Sequence, residues 1–162
     1  MKNKKAFLVI KILLIGLFVF FANDSFSQKT FPNIDLKLID GSELKRDSLE
    51  NNILIINLWG TWCGPCIAEI PELNKLVQEY KNKRVKFLAL ATDDSIKVKS
   101  FLLKKEFNFV HLDNSNSKYF DKGFFRSYPR TLVYDKTGKL IKKYTGQLND
   151  ENLKNLRELI EK

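Results

Sequence analysis

The order of apolar patterns along this 162-residue chain predicts an α/β domain, a central mixed sheet with helices packed on its two faces. Three observations carry that expectation. The runs ILIINLW (Ile53–Trp59) and VKFLALA (Val85–Ala91) are almost continuously apolar, as strands covered on both faces require. After each comes a stretch with apolar residues every three or four positions, the period of an amphipathic helix. Near the C-terminus two strand-like segments flank DKTG, a hairpin signal in which Gly138 is available for positive φ.

Residues 1–27 read as an address. A basic start (Lys2, Lys4, Lys5, Lys11) runs into the apolar stretch Ile12 to Ala22, the layout of a secretory signal peptide. Ser25 and Ser27 imitate a small-x-small cleavage pattern, which puts the cut before Gln28 and leaves residues 28–162 as a single domain. An uncleaved N-terminal anchor is the competing reading, although Lys11 interrupts a run that falls short of the about 20 apolar residues of a normal span. Both readings place the domain outside the cytoplasm, in the periplasm or on the outer face of the membrane.

Within that domain Phe31 to Ile39 alternates apolar and polar residues as a half-buried strand does, and Asp40-Gly41 supplies a turn. Ile53–Trp59 follows as the central strand. From Pro65 a helix is predicted on Ile67, Ile70, Leu73, Val77 and Tyr80, kinked at Pro71 because proline lacks the backbone donor. Val85–Ala91 is the next strand. Ser95 to Glu106 reads as a helix built on Ile96, Val98, Phe101 and Leu102, and Phe109 to Leu112 as a short strand. A helical turn around Tyr119 and Phe120 precedes strands at Thr131–Tyr134 and Lys139–Tyr144. Asn149 or Asp150 then caps a last helix on Leu153, Leu156, Leu159 and Ile160.

The whole chain carries a formal charge of +9, and residues 28–162 keep an excess of +6. The lysines are spread without a dense basic block, which describes a solvated surface and argues against a nucleic-acid partner.

Chemistry concentrates in NLWGTWCGPC, Asn57 to Cys66, which holds both cysteines of the chain. A structural staple between Cys63 and Cys66 closes too short a ring to stabilise much, since the chain entropy removed grows with loop length. A closed zinc site would need two more ligands, whereas the chain has one histidine, His111, in a strand-like stretch that favours packing over ligation. A reactive pair fits best. Cys63 falls where a strand meets a helix, and the helix N-terminus favours its thiolate. Cys66, one turn on, should face inward and resolve a mixed disulfide formed at Cys63. Gly64 and Pro65 set the turn between them, with Pro65 tolerated in the first helical turn. Trp62, adjoining Cys63, is the candidate substrate platform, and Trp59 a core residue. Tyr119, Phe124 and Phe125 could line a groove, and packing explains them as well.

WCGPC, the proline eight residues after Cys63 and the segment SYPRTLVYDKTGK together resemble the thioredoxin superfamily. Within it they are most similar to exported TlpA/ResA-like thiol-disulfide oxidoreductases, over residues 31 to about 160. The resemblance implies a thioredoxin-like fold with an N-terminal β-hairpin extension and a cis proline at Pro129. Such a bond exposes the backbone of Tyr128 so that a substrate strand can pair beside the cysteines. Arg130 stands where the family usually has threonine. Asn57 occupies the place of the buried aspartate of cytoplasmic thioredoxins, and an amide cannot carry a proton. Glu69 matches the glutamate that ResA-type relatives place six residues after the first cysteine. It shares a helix face with Cys66 and could take or return its proton.

The resulting expectation is a monomeric protein disulfide reductase without cofactor or metal, re-reduced by a membrane-bound electron donor. Its substrate is a protein disulfide, with cytochrome c maturation the leading setting. A dithiol oxidant or isomerase would use the same residues. A copper(I) chaperone is the reading from another class, but the family spacing of three residues between cysteines and the companion histidine are missing. Peroxide reduction lacks a separate peroxidatic cysteine.

Overall fold

The computed structural model describes residues 30–120 and 127–162; the leader, residues 1–27, lies outside the described residues. In chain order the elements are β1 (Leu36–Lys37), β2 (Glu43–Leu44), a 3-10 helix (Arg46–Leu49), β3 (Ile53–Trp59), α1 (Gly64–Glu79), β4 (Val85–Ala91) and α2 (Ser95–Leu102). After them come β5 (Val110–Leu112), a second 3-10 helix (Asn114–Tyr119), β6 (Arg130–Tyr134), β7 (Leu140–Thr145) and α3 (Asp150–Ile160).

Five strands form one mixed sheet in the order β5-β4-β3-β6-β7. β3 lies parallel to β4 and antiparallel to β6, which is why every one of its side chains is buried and why its sequence carries no alternation. Its pleat still divides the core. Ile53, Ile55 and Trp59 face the side on which Ile70, Leu73 and Leu76 of α1, Val98 of α2 and Leu153, Leu156 and Ile160 of α3 pack. Leu54, Ile56 and Leu58 face a second cluster with Phe31, Leu36, Leu49 and Phe120. Among the described residues the α-helices therefore pack on one face, while the hairpin, the N-terminal segment and the two 3-10 helices cover the other. Trp59 is the largest fully buried side chain, with Phe101 and Phe107 edge-on at 5.1 and 5.3 Å.

The β1–β2 hairpin is present as a separate two-stranded unit, turning at Gly41 with φ 93°. The strand expected over Phe31 to Ile39 is regular only at Leu36–Lys37, because this segment mostly reaches the sheet through single contacts. Phe31 N–H donates to the Gly138 carbonyl at 2.7 Å, and Ile39 N–H to the His111 carbonyl at 3.1 Å. The helix expected over Ser95–Glu106 ends at Leu102, and its register differs: Ile96 is 76% exposed and Val98 carries the packing. Asn149, not Asp150, caps α3, accepting from Asn152 N–H at 2.8 Å. Among the described residues no helix is long and apolar enough to cross a membrane.

His111 is packed, as its strand context implied. Its Nε2 lies 3.0 Å from the Phe107 carbonyl, which can only accept, so Nε2 carries the proton, and the ring meets Trp59 and Phe107. Burial holds its pKa below the ordinary 6.5, with the Phe107 bond opposing in part. The unfolded chain therefore binds a proton that the folded one refuses, and the stability present above pH 6.5 is lost as pH falls toward the folded value. Replacing His111 with Phe should remove this component. In urea titrations from pH 7.5 to 5, wild type should lose stability relative to His111→Phe; a constant difference between the two would contradict a neutral buried imidazole.

Candidate active site

The site forms where β3 ends and α1 begins. Cys63 is the N-cap of α1, with extended backbone (φ −87°, ψ 101°), and its Sγ accepts from the Cys66 N–H at 3.3 Å. Any negative charge developing on Cys63 Sγ thus sits against an amide at the positive end of a 16-residue helix. Gly64 and Pro65 occupy the first turn, where the missing proline donor costs no helical bond. The two cysteines are joined in a disulfide with Cα atoms 5.2 Å apart. Cys66 is the deeper of the two at 1% exposure, and Cys63 shows only an edge at 5%.

A buried polar cluster lies behind the pair. Glu69, on the same face of α1 as Cys66, is 2% exposed, whereas Glu72 and Glu79 on the outer surface pair with Lys75 and Arg157. Asn57 Nδ2 donates to Glu69 Oε1 at 2.8 Å and to Thr131 Oγ1 at 3.2 Å, and Leu148 N–H donates to Glu69 Oε2 at 3.0 Å. Burial raises the Glu69 pKa from 4.5 to about 6, against the lowering effect of the Leu148 and Asn57 bonds. Removing water outweighs two donors, which leaves a carboxyl able to change protonation near neutral pH. Asn57 therefore does not stand in for an acid but grips one.

Trp62 is 65% exposed, and its ring meets Tyr128 edge to face at 5.8 Å between centroids. Tyr128 precedes Pro129, and the bond between them is cis. The proline loop therefore stands beside the Trp62–Cys63 segment, with β6 starting at Arg130 immediately after it. Arg130 is buried and donates through Nη2 to Ser127 Oγ at 2.8 Å. Of the aromatic residues considered for a groove, Tyr119 is 43% exposed on the second 3-10 helix, and Phe124 and Phe125 lie outside the described residues.

The fold thus gathers Cys63, Cys66, Glu69, Trp62, Gly64, Pro65, Tyr128 and Pro129 at one end of the sheet. A Redoxin family model matches residues 26–160. The chain belongs to the Redoxin family. It is 31% identical to the thiol-disulfide oxidoreductase ResA of Bacillus cereus over 162 residues, 94% of each chain. Among solved structures it is similar to a thiol:disulfide interchange protein of the thioredoxin family from Chlorobium tepidum. That pair has a TM-score of 0.68 at 19% identity, covering 82% of this chain and 96% of the other. A thiol-disulfide isomerase from Corynebacterium glutamicum also superposes with a TM-score of 0.68, at 14% identity over 83% and 97% of the two chains. These likenesses agree with the mixed sheet, the hairpin extension and the redox-active Cys63–Cys66 pair of a ResA-like thiol-disulfide oxidoreductase.

Sequence reasoning did not find Thr131 or Leu148. Thr131 enters because it lies opposite Asn57 in the β3–β6 register, and Leu148 because of its backbone N–H, which any residue but proline supplies.

Because the folded Glu69 pKa lies above its ordinary value, its protonated form is the one the fold favours. The associated stability is complete below pH 4.5 and is lost as pH rises through about 6. Between pH 4 and pH 8 wild type should lose about 2 kcal/mol relative to Glu69→Gln, read from urea midpoints. A pH-independent difference would mean that Glu69 does not titrate in this range.

Proposed function

We propose that this protein is an exported reductant of protein disulfides, in which Cys63 attacks, Cys66 resolves and Glu69 handles the proton. The observation that carries the reading is the buried Glu69 carboxyl, one helical turn beyond Cys66, with a pKa of about 6. In the reduced protein the Cys63 thiolate attacks a substrate disulfide, forming a mixed disulfide and releasing one substrate thiolate. Glu69 then takes the Cys66 proton, and the Cys66 thiolate attacks Cys63 Sγ. The bond between Cys63 and the substrate breaks, the second substrate thiolate leaves and takes up a proton, and the Cys63–Cys66 disulfide closes. Two electrons have passed to the substrate. A dithiol donor must return them, and the likeness to the TlpA/ResA-like group favours a membrane-bound donor.

The leader pattern of residues 1–27 supports export, and the same likeness supports the reducing direction and a setting in cytochrome c maturation. Cys66→Ala, expressed with its own leader, should accumulate mixed disulfides through Cys63 that dissolve on adding reductant. Wild type should reduce insulin with dithiothreitol as donor. If the variant traps nothing and wild type leaves insulin intact, the proposal fails. Equilibration with glutathione fixes the direction, since a reductant must sit well below the glutathione couple.

The proton role has a separate readout. The rate of the resolving step should rise with pH through about 6 in wild type, because only ionised Glu69 accepts the Cys66 proton. Glu69→Gln should lose that inflection. Identical profiles would remove Glu69 from the mechanism while leaving the thiol chemistry in place.

A further inference from the structure

We propose that Thr92 and Asp93, at the end of β4, are positioning residues that hold Trp62 as a fixed wall beside Cys63, and so favour extended polypeptide disulfides over small ones. This rests on the disulfide-exchange reading above. Thr92 and Asp93 touch no reacting atom; they act through the Gly60–Thr61–Trp62 segment.

An indole that is 65% exposed would ordinarily sample several rotamers, and a substrate would have to order it on binding. Here three restraints remove that freedom. Trp62 Nε1 donates to Thr92 Oγ1 at 3.2 Å. One residue earlier, Thr61 N–H donates to Asp93 Oδ2 at 2.8 Å. Beneath the ring, Gly60 leaves the space the indole fills, since a Cβ built there would fall 2.7 Å from Trp62 Nε1 and 3.1 Å from Thr92 Oγ1. Thr92 is itself anchored, its N–H donating to the Trp59 carbonyl at 3.0 Å and its carbonyl accepting from Asn114 Nδ2 at 2.8 Å.

The ring also meets Tyr128, so Trp62 spans from the end of β4 to the proline loop next to Cys63. A rigid apolar wall in that place presents stacking surface to the side chains flanking a substrate cysteine. A polypeptide has such side chains, whereas glutathione disulfide offers little to stack. Pre-ordering the wall spares the substrate that cost, which corresponds to about a two- to tenfold lower KM for one immobilised side chain.

The test uses the full chain with Thr92→Val, which keeps the shape and loses the acceptor, and Thr92→Ser, which restores it. Trp59 is 1% exposed and packed, so fast depolarisation in time-resolved fluorescence reports Trp62 alone. Thr92→Val should increase that fast component and raise KM for insulin about two- to tenfold with kcat little changed. Its rate constant with glutathione disulfide should stay within about twofold, and Thr92→Ser should resemble wild type on every measure. Gly60→Ala, which displaces the ring by another route, should act in the same direction as Thr92→Val. The proposal is overturned if Thr92→Val leaves insulin KM unaltered, or slows both substrates alike. Failure of wild type with both substrates would instead remove the exchange reading beneath it.

Discussion

The burial of one carboxyl organises this end of the molecule. Glu69 belongs to α1, its Oε1 is held by a side chain of β3, and its Oε2 by a backbone amide of the segment leading into α3. Through Asn57 the same cluster reaches β6 at Thr131. Four segments distant in sequence are thereby tied at a single point behind the disulfide. A buried carboxyl without those donors would be severely destabilising, so each partner is needed for the group to be inside at all. A buried carboxyl on the helix face of Cys66, its pKa raised to about 6, is what the proposed proton role requires.

Two buried titratable groups, His111 and Glu69, lie on the same side of the sheet with opposite pH responses. His111, against Trp59, resists gaining a proton, while Glu69 resists losing one. Between their ordinary values the two effects oppose, and the fold is buffered across the mildly acid range. They differ in what surrounds them. His111 is closed in by aromatic rings with one backbone carbonyl, whereas Glu69 is gripped by donors that leave its protonation finely balanced. Only the second arrangement suits the protonation change proposed for Glu69.

The reactive pair and the sheet were legible in the sequence for physical reasons. Strands buried on both faces cannot hide their apolar composition, and a dithiol at a strand–helix junction has few other uses. Of the N-terminal hairpin, the alternation before Ile39 and the turn at Asp40-Gly41 were legible, whereas its second strand, Glu43–Leu44, is too short to leave a period and was expected only through family likeness. The helix after β4 was placed but its register was not. Lys97, Lys99 and the outward-facing Ile96 blur an apolar stripe of which only Val98 is fully buried. At the site, residue type and spacing marked Cys63 and Cys66 and family likeness marked Glu69, but the grip on Glu69 depends on a cross-strand register and on a main-chain donor. Neither has a signature in residue type. Asn57 was noticed for the acid it lacks, and its actual work became visible only once Glu69 was seen to be inside.

Placing the acid on α1 instead of β3 has a mechanical consequence. Cys66 and Glu69 share one helix, so their relative position is set by helical geometry and is kept if α1 shifts against the sheet during exchange. An acid at position 57 would have its distance to Cys66 set by the packing of α1 on β3. Asn57 still couples the sheet to the carboxyl, but as a donor whose bond can lengthen without changing which group holds the proton. The wall on the other side of Cys63 is built in the opposite way: Trp62 is fixed by β4 and contacts the proline loop. In the proposed mechanism the proton-handling half of the site thus rides on the helix and the half facing substrate is fixed from the sheet, with Cys63, as the N-cap, at the boundary between them.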